Sequence, residues 1–375
     1  MNILVTTPYF YPEGGGLERY AYNIFKRLTS KGHTVTVLCA TKEKEDYSEE
    51  IDGIVVKRLK PDFIISNTPI RLDFFRLLHN ELTRYKYDII NSHTPVPYFA
   101  EIAALVAYKL RINYIVTFHV SETVSPSPWL NLIYRVLDVT FEPLMFKIAR
   151  KIIVVNELVK QGYLAKFAHK TVVIPPGVDT SRYRPNKYNP NKKRLLFIGP
   201  LSSSYEWKGL RILLKAMQLI INTHHDATLT VIGDGPLKDE FMEICKRYNI
   251  DKNTIFKGRV SEEELIRCYQ ESTMLIVPST GVDSFPLVML EANACGIPVV
   301  ASKIGGIPYY IINGFNGLLV EPRDSLVLAE KIIELLSRPK LLNELSLNSR
   351  KRALEFDWNT IADKTLSSLE NIVCH

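Results

Sequence analysis

Short aliphatic runs alternate with helical patterns along the whole chain, and no other feature limits the fold as strongly. Ile3–Thr7, Thr34–Cys39, Ile54–Arg58, Asp88–Ser92, Tyr114–Phe118 and Lys151–Val155 read as strands in the first half; Arg194–Ile198, Thr228–Ile232, Met274–Pro278 and Pro298–Ala301 do so in the second. Helical patterns fall near 17–30, 70–85, 98–110, 129–149, 237–248 and 262–271, and again near 325–337, 341–355 and 358–373. Strands that are apolar throughout are buried on both faces, and strand–helix repeats give parallel sheets covered on both sides. The fold class is therefore α/β. A chain of 375 residues exceeds the usual single core, so two domains are expected.

The most informative chemistry lies between Val282 and Ala301. This stretch reads as a loop, a helix over Leu287–Cys295 and a stop at Gly296. The strand Pro298-Val-Val-Ala301 follows, with Ser284 as N-cap and Pro286 in the first helical turn. The helix is apolar apart from Glu291, and a second carboxylate, Asp283, stands in the loop. At a rise of about 1.5 Å per residue the two lie on the order of 10 Å apart, a span that suits the two ends of a nucleotide-sugar. On spacing alone, an Asp favoured by the helix dipole and a Glu paired with a structural Lys explain them equally well.

The run of carboxylate, aromatic, apolar residues and Glu291-Ala-Asn-Ala-Cys-Gly-Ile-Pro-Val-Val-Ala301 resembles the signature of glycosyltransferase family 4, the retaining GT-B enzymes also called glycosyl transferases group 1. The resemblance extends through nearly the whole chain. It implies two Rossmann-like domains facing across a cleft. Residues 1–178 would be an acceptor domain, 179–357 a nucleotide-sugar domain, and a final helix within 358–375 would cross back to the first. Val172–Pro185 looks like the family's linker.

By the same resemblance, Glu291 holds the donor ribose, Asp283 the sugar and Lys208 the diphosphate. Further donor contacts fall on Gly233, Gly235, Gly258, Arg259, Ser284, Phe285, Pro286 and Leu287. The chain departs from the pattern in three places: Asp283 replaces the first Glu, Pro200 the usual Arg, and Tyr309 a frequent Glu. Arg259 or Arg182 would have to supply the missing cation that stabilises the leaving diphosphate.

In the first half, Gly14-Gly15-Gly16 stands between a strand and a helix. The glycines come too late for a dinucleotide turn, and Ala40-Thr41-Lys42 offers no acid for a ribose. The resemblance gives the loop to the acceptor or the donor phosphate, through bare N–H groups at a helix start. Two histidines follow strand ends, where ligands of parallel sheets bind. His119 would lie near the transferred sugar; His93 is expected on the acceptor side.

Composition narrows the partners. The net charge is +7, of which +5 falls on residues 1–175, with 22 basic and 17 acidic residues. This suits a phosphate-bearing ligand or an anionic lipid surface; dispersed charges without a basic helix speak against nucleic acid. Arg71-Leu-Asp-Phe-Phe-Arg76 and Trp129–Arg135 with Phe146-Lys147 mix basic and aromatic residues and suggest peripheral membrane contact, or else ordinary helices with a charged edge. Five scattered cysteines show no disulfide or metal spacing, and the N-terminus is a core strand without a charged leader. The expected location is cytoplasmic, including the inner face of the cell membrane.

The resulting expectation is a retaining, metal-independent hexosyltransferase with no cofactor. It would use a UDP- or GDP-sugar donor and a glycan or lipid-linked acceptor, with His119, Asp283 and Lys208 at the reacting centre. Two alternatives stand beside it: a nucleotide-sugar epimerase or hydrolase on the same fold, and a catalytically silent sugar-nucleotide-binding subunit.

Overall fold

The computed structural model describes residues 1–65, 68–94, 97–119, 140–281 and 283–373. The chain divides into two compact units, Met1–Pro176 with Trp358–His375, and Gly177–Asp357. Val282 and the basic-aromatic stretch at 129–135 lie outside the described residues.

In the first unit the strands are β1 (Asn2–Thr6), β2 (Thr34–Ala40), β3 (Tyr47–Ile51), β4 (Ile54–Leu59), β7 (Ile89–Thr94), β8 (Asn113–Phe118), β9 (Lys151–Val154) and β10 (Thr171–Val173), and a separate ribbon pairs β5 (Phe63–Ile65) with β6 (Thr68–Ile70). The main sheet runs β10-β9-β8-β7-β1-β2-β4-β3, parallel except for β3. Period-2 alternation splits its core: Ile3, Val5, Val35 and Val37 face one side, Leu4, Leu38 and Ile90 the other. On the first side lie α1 (Gly16–Ser30), through Tyr20, Ala21, Ile24, Phe25 and Leu28, and the final helix α13 (Trp358–Val373), through Trp358, Ile361, Leu369 and Ile372. On the other lie α2 (Phe74–Arg84), α3 (Phe99–Leu110) and α4, helical over 140–148, with the short α5 (Glu157–Gln161) beyond.

The second unit has six strands, all parallel, in the order β13-β12-β11-β14-β15-β16: β11 (Arg194–Ile198), β12 (Thr228–Ile232), β13 (Thr254–Gly258), β14 (Met274–Val277), β15 (Val299–Ser302) and β16 (Gly317–Val320). Its helices are α6 (Leu210–Thr223), α7 (Lys238–Arg247), α8 (Glu262–Glu271), α9 (Leu287–Ala294), α10 (Ile307–Tyr310), α11 (Ser325–Leu336) and α12 (Pro339–Leu354). The chain starts at the middle strand, winds outward, then returns to wind the other way. Strand order reverses between β11 and β14, and loops after such neighbouring strands frame the ligand crevice of doubly wound sheets.

Three local expectations change. Helix α9 starts at Leu287 with Pro286 as N-cap, not at Ser284. The loop is held extended there because the Asp283 carbonyl accepts the Gly306 N–H at 2.7 Å. Helix α2 starts at Phe74, four residues late, because Thr68–Ile70 pairs with Phe63–Ile65 instead. Strand β3, Tyr-Ser-Glu-Glu-Ile, is an edge strand whose charges discourage further pairing, which gives it the composition of a loop.

Candidate functional site

The loops after β11 and β14 are locked together by backbone. Lys208 closes a 3-10 turn, Ser203–Lys208, and Gly209 follows at φ +80°. A Cβ on Gly209 would stand 1.9 Å from the Pro278 carbonyl oxygen, so only glycine lets the two loops approach. The Thr280 N–H donates to the Trp207 carbonyl at 2.7 Å across the same seam. This seam brings Lys208 Nζ to 2.5 Å from Asp283 Oδ2, with the Trp207 ring 4.4 Å beneath the ammonium. Lys208 is half-buried and Asp283 buried. The cation therefore pairs with the Asp; the structural-lysine explanation placed it on the Glu.

Glu291 projects half-buried from α9 and accepts the Tyr269 hydroxyl at 2.7 Å. Tyr269 is completely buried on α8, and its burial, reinforced by the Glu291 charge, raises its pKa well above the ordinary tyrosine value. Tyr269 thus remains a donor and fixes one carboxylate oxygen. Phe285 packs on Tyr310 and Phe356 at ring distances of 5.9 and 6.4 Å, which anchors the loop between the two acids. Ser284 is half-buried and Pro286 buried in that loop, and Leu287 opens the helix.

Gly233 and Gly235 serve packing. Cβ atoms there would meet the Gly199 and Leu201 carbonyl oxygens at 1.9 and 2.2 Å, so the turn after β12 lies directly on the loop after β11. Gly258 accepts the Gly233 N–H at 2.9 Å and has open space where a side chain would go. Of the two arginines weighed against Pro200, Arg182 is committed to Glu262 and Glu263 at 2.9 and 3.2 Å. Arg259 is exposed at the end of edge strand β13 and makes no ion pair among the described residues. Pro200 is exposed in the loop after β11.

In the first unit the glycine loop is tied at both ends. Arg58 is fully buried; it donates to the Phe10 and Tyr11 carbonyls at 3.1 and 2.7 Å, binds Glu49 and reaches Glu13 at 3.4 Å. Glu13 also accepts from Thr41 Oγ1 at 2.9 Å and the Lys42 N–H at 3.0 Å. Gly14, Gly15 and Gly16 are exposed, but the helix start is not bare. The Gly15 N–H donates to Glu18 Oε2 at 2.6 Å, so an anion there must displace a carboxylate. Arg58 was missed, although the signal exists: alternation from Ile54 through Val56 turns it inward.

His93 and His119 come together at the ends of β7 and β8, Nδ1 to Nε2 at 3.1 Å. Tyr20 lies edge-on to the His119 ring at 4.8 Å, and Trp358 of α13 backs Tyr20 at 5.8 Å. Burial pushes the His119 pKa down to about 3 and the His93 value well below the usual histidine range. His93 is 1% exposed and lies behind His119, which corrects its expected place on the acceptor side.

The comparisons with known proteins agree with this architecture. The family model described as Glycosyl transferases group 1 matches residues 180–352, and that described as Glycosyltransferase Family 4 matches residues 14–182. An uncharacterized glycosyltransferase of Methanocaldococcus jannaschii is 27% identical over 96% of this chain and 95% of its own. A phosphatidyl-myo-inositol mannosyltransferase of Mycobacterium leprae is 24% identical over 99% and 97%. Among solved structures, HepE of Anabaena in complex with UDP superposes with a TM-score of 0.75 at 21% identity, covering 99% of this chain and 100% of that one. Two consecutive family matches, the doubly wound units and full-length relatives place this chain in glycosyltransferase family 4, with the GT-B fold.

Proposed function

We propose that this protein transfers a hexosyl group from a UDP- or GDP-sugar to a glycan or lipid-linked acceptor with retention of configuration. The observation that carries this reading is the Lys208–Asp283 pair at the reversal of strand order, with Glu291 on the helix that follows. A nucleotide-sugar has a diol at one end, a polyhydroxyl ring at the other and two phosphates between. Glu291 suits the diol, Asp283 the ring hydroxyls and Lys208 the phosphates between them. HepE, whose fold this chain shares, has been solved with UDP and with UDP-glucose, which supports that class of donor.

The sugar C1–O bond breaks with its electrons passing to the diphosphate, whose charge Lys208 offsets. The acceptor hydroxyl attacks C1 from the face that the diphosphate leaves. Its proton goes to the departing phosphate oxygen, which accounts for retention without a covalent enzyme intermediate.

A lipid-linked acceptor fits a second feature of the first unit. Phe63, Ile64 and Ile65 of the β5–β6 ribbon are all exposed, as are Leu72 and Phe75 beside it; the exposed Lys60 precedes the ribbon and the exposed Lys109 ammonium lies 5.8 Å from the Phe75 ring. Arg71 and Arg76 are not among these cations: Asp46 and Asp73 hold Arg71 at 2.8 Å each, and Asp73 also holds Arg76 at 3.0 Å. Exposed apolar residues with lysines beside them suit the interface of an anionic bilayer, as does the lipid substrate in the name of the Mycobacterium leprae relative.

Thermal shift of the purified protein against UDP, GDP and ADP, followed by a donor panel with anomer-resolved product analysis, tests the transferase. Stabilisation by one nucleotide and transfer of its sugar are expected. Nucleotide binding without transfer or hydrolysis would instead favour a silent subunit, and hydrolysis or epimerisation without transfer would favour the other alternative. No response to any nucleotide would reject the reading.

A further inference from the structure

Lys208 and Asp283 both belong to the second unit, and each is pinned through its backbone. Gly209 at the seam with Pro278 fixes where the Lys208 side chain starts. The turn after β15 fixes Asp283. Gly305 lies there at φ +58°, where a Cβ would stand 2.4 Å from the Asp283 carbonyl oxygen, and the Gly306 N–H donates to that oxygen at 2.7 Å. Neither group can follow a ligand far from the other. A second face of the ammonium is uncharged, since the Trp207 ring lies against it at 4.4 Å. That ring is held by its own Nε1–H, which donates to the Ser204 carbonyl at 3.0 Å, and by Gly281, where a Cβ would stand 3.0 Å from the Trp207 Cβ. Asp283 is thus the one anion paired with Lys208 among the described residues. At 2.5 Å it holds the ammonium at the contact distance a phosphate oxygen needs. With 9% exposure its charge is little screened by water.

We propose that Asp283 competes with the diphosphate for Lys208, and so hastens release of the nucleoside diphosphate once the sugar has gone. This rests on the proposed transferase. While the sugar is attached, its hydroxyls donate to Asp283 and weaken the hold of the carboxylate on Lys208. After transfer those donors have left with the product, and the ammonium is the partner that remains. Lys208 then grips the spent nucleotide less tightly than an unopposed lysine would. The Trp207 ring keeps the ammonium in place during the exchange without adding a charge of its own.

Calorimetry and stopped-flow dissociation of UDP and GDP from the full chain test the competition. Loss of a carboxylate that serves only the sugar leaves the affinity for a sugar-free nucleotide unchanged. Competition predicts instead that Asp283→Asn binds the preferred diphosphate about tenfold more tightly than wild type and releases it correspondingly more slowly. The gain should shrink to about twofold or less in a Lys208→Met background, where no ammonium is contested. Unchanged or weaker affinity in a folded Asp283→Asn protein, or an unchanged dissociation rate, would overturn the proposal. An equal gain in the Lys208→Met background would overturn it as well, by showing that Asp283 repels the diphosphate directly. If the Lys208→Met protein binds too weakly to measure, the single variant decides. Should Asp283→Asn fail to fold, Asp283→Ser removes the same charge and the same comparison applies. A wild-type protein that binds neither nucleotide would reject the proposed function, and this inference with it.

Discussion

Asp283 and Lys208 are 75 positions apart in sequence, and only the glycine seam at Gly209 makes them a pair. Spacing within Val282–Ala301 revealed two acids on one element because a helix fixes distance locally. It had no means of showing which acid a distant lysine would meet, or that Tyr269 would hold Glu291. The same limit hid His93 behind His119. Both stand at strand ends, as parallel sheets require, but burial depends on Tyr20 and on Trp358 from the far end of the chain. If Glu291 binds the ribose, Glu291→Gln should weaken nucleotide binding by roughly 1–3 kcal/mol, the range for hydrogen bonds to a charged group. Unchanged affinity by calorimetry in a folded variant would reject the role.

The histidine pair also has a stability consequence. Above the ordinary value of 6.5 both rings are neutral in the folded and unfolded chain alike. Below it the unfolded chain takes up protons that the buried rings refuse, so stability falls as pH drops. Each histidine contributes up to about 1.4 kcal/mol per pH unit, and for His119 the decline continues toward about 3. Urea unfolding between neutral and mildly acidic pH should show a shallower decline in His119→Asn than in wild type; parallel curves would refute this.

At the scale of elements, the apolar strands and the helices between them were legible because each carries its own period. The β5–β6 ribbon was not, since three apolar residues before Ser-Asn-Thr-Pro have no period to read. Its discovery moves the expected membrane contact away from Arg71. Wild type should float with anionic vesicles at low salt, less so at high salt. Replacing Phe63, Ile64 and Ile65 by Ser should abolish flotation while leaving nucleotide affinity in place. Arg71→Glu would disturb Asp46 and Asp73 before it disturbed lipid. If the triple variant floats like wild type, the ribbon is not the contact.

At the scale of the molecule, the alternation of strands and helices foretold parallel sheets covered on both faces, chain length foretold more than one unit, and the glycosyltransferase signature foretold their family. Whether the donor diphosphate is held without metal is a property of the whole site. If the proposed donor binds beside α9, Lys208, backbone N–H groups and the start of that helix would be the positive elements for it. Transfer should therefore persist in excess EDTA. Loss of activity restored by magnesium or manganese would assign that charge to an ion.

The Val178 N–H donates to the Phe356 carbonyl at 3.0 Å, and Val178 bridges Asp357, so the second unit begins and ends at one point. The helix after that point, α13, completes the core of the first unit. In genetic terms the second unit is an insertion within the first. Removing everything after residue 357 would leave the inserted unit whole and ruin its host. Exchanging the insert between its two pinned ends, however, would transplant a complete second unit into an unchanged first unit. A protein organised this way can replace its second unit whole through two crossovers, at residues 177 and 357, without refolding the first.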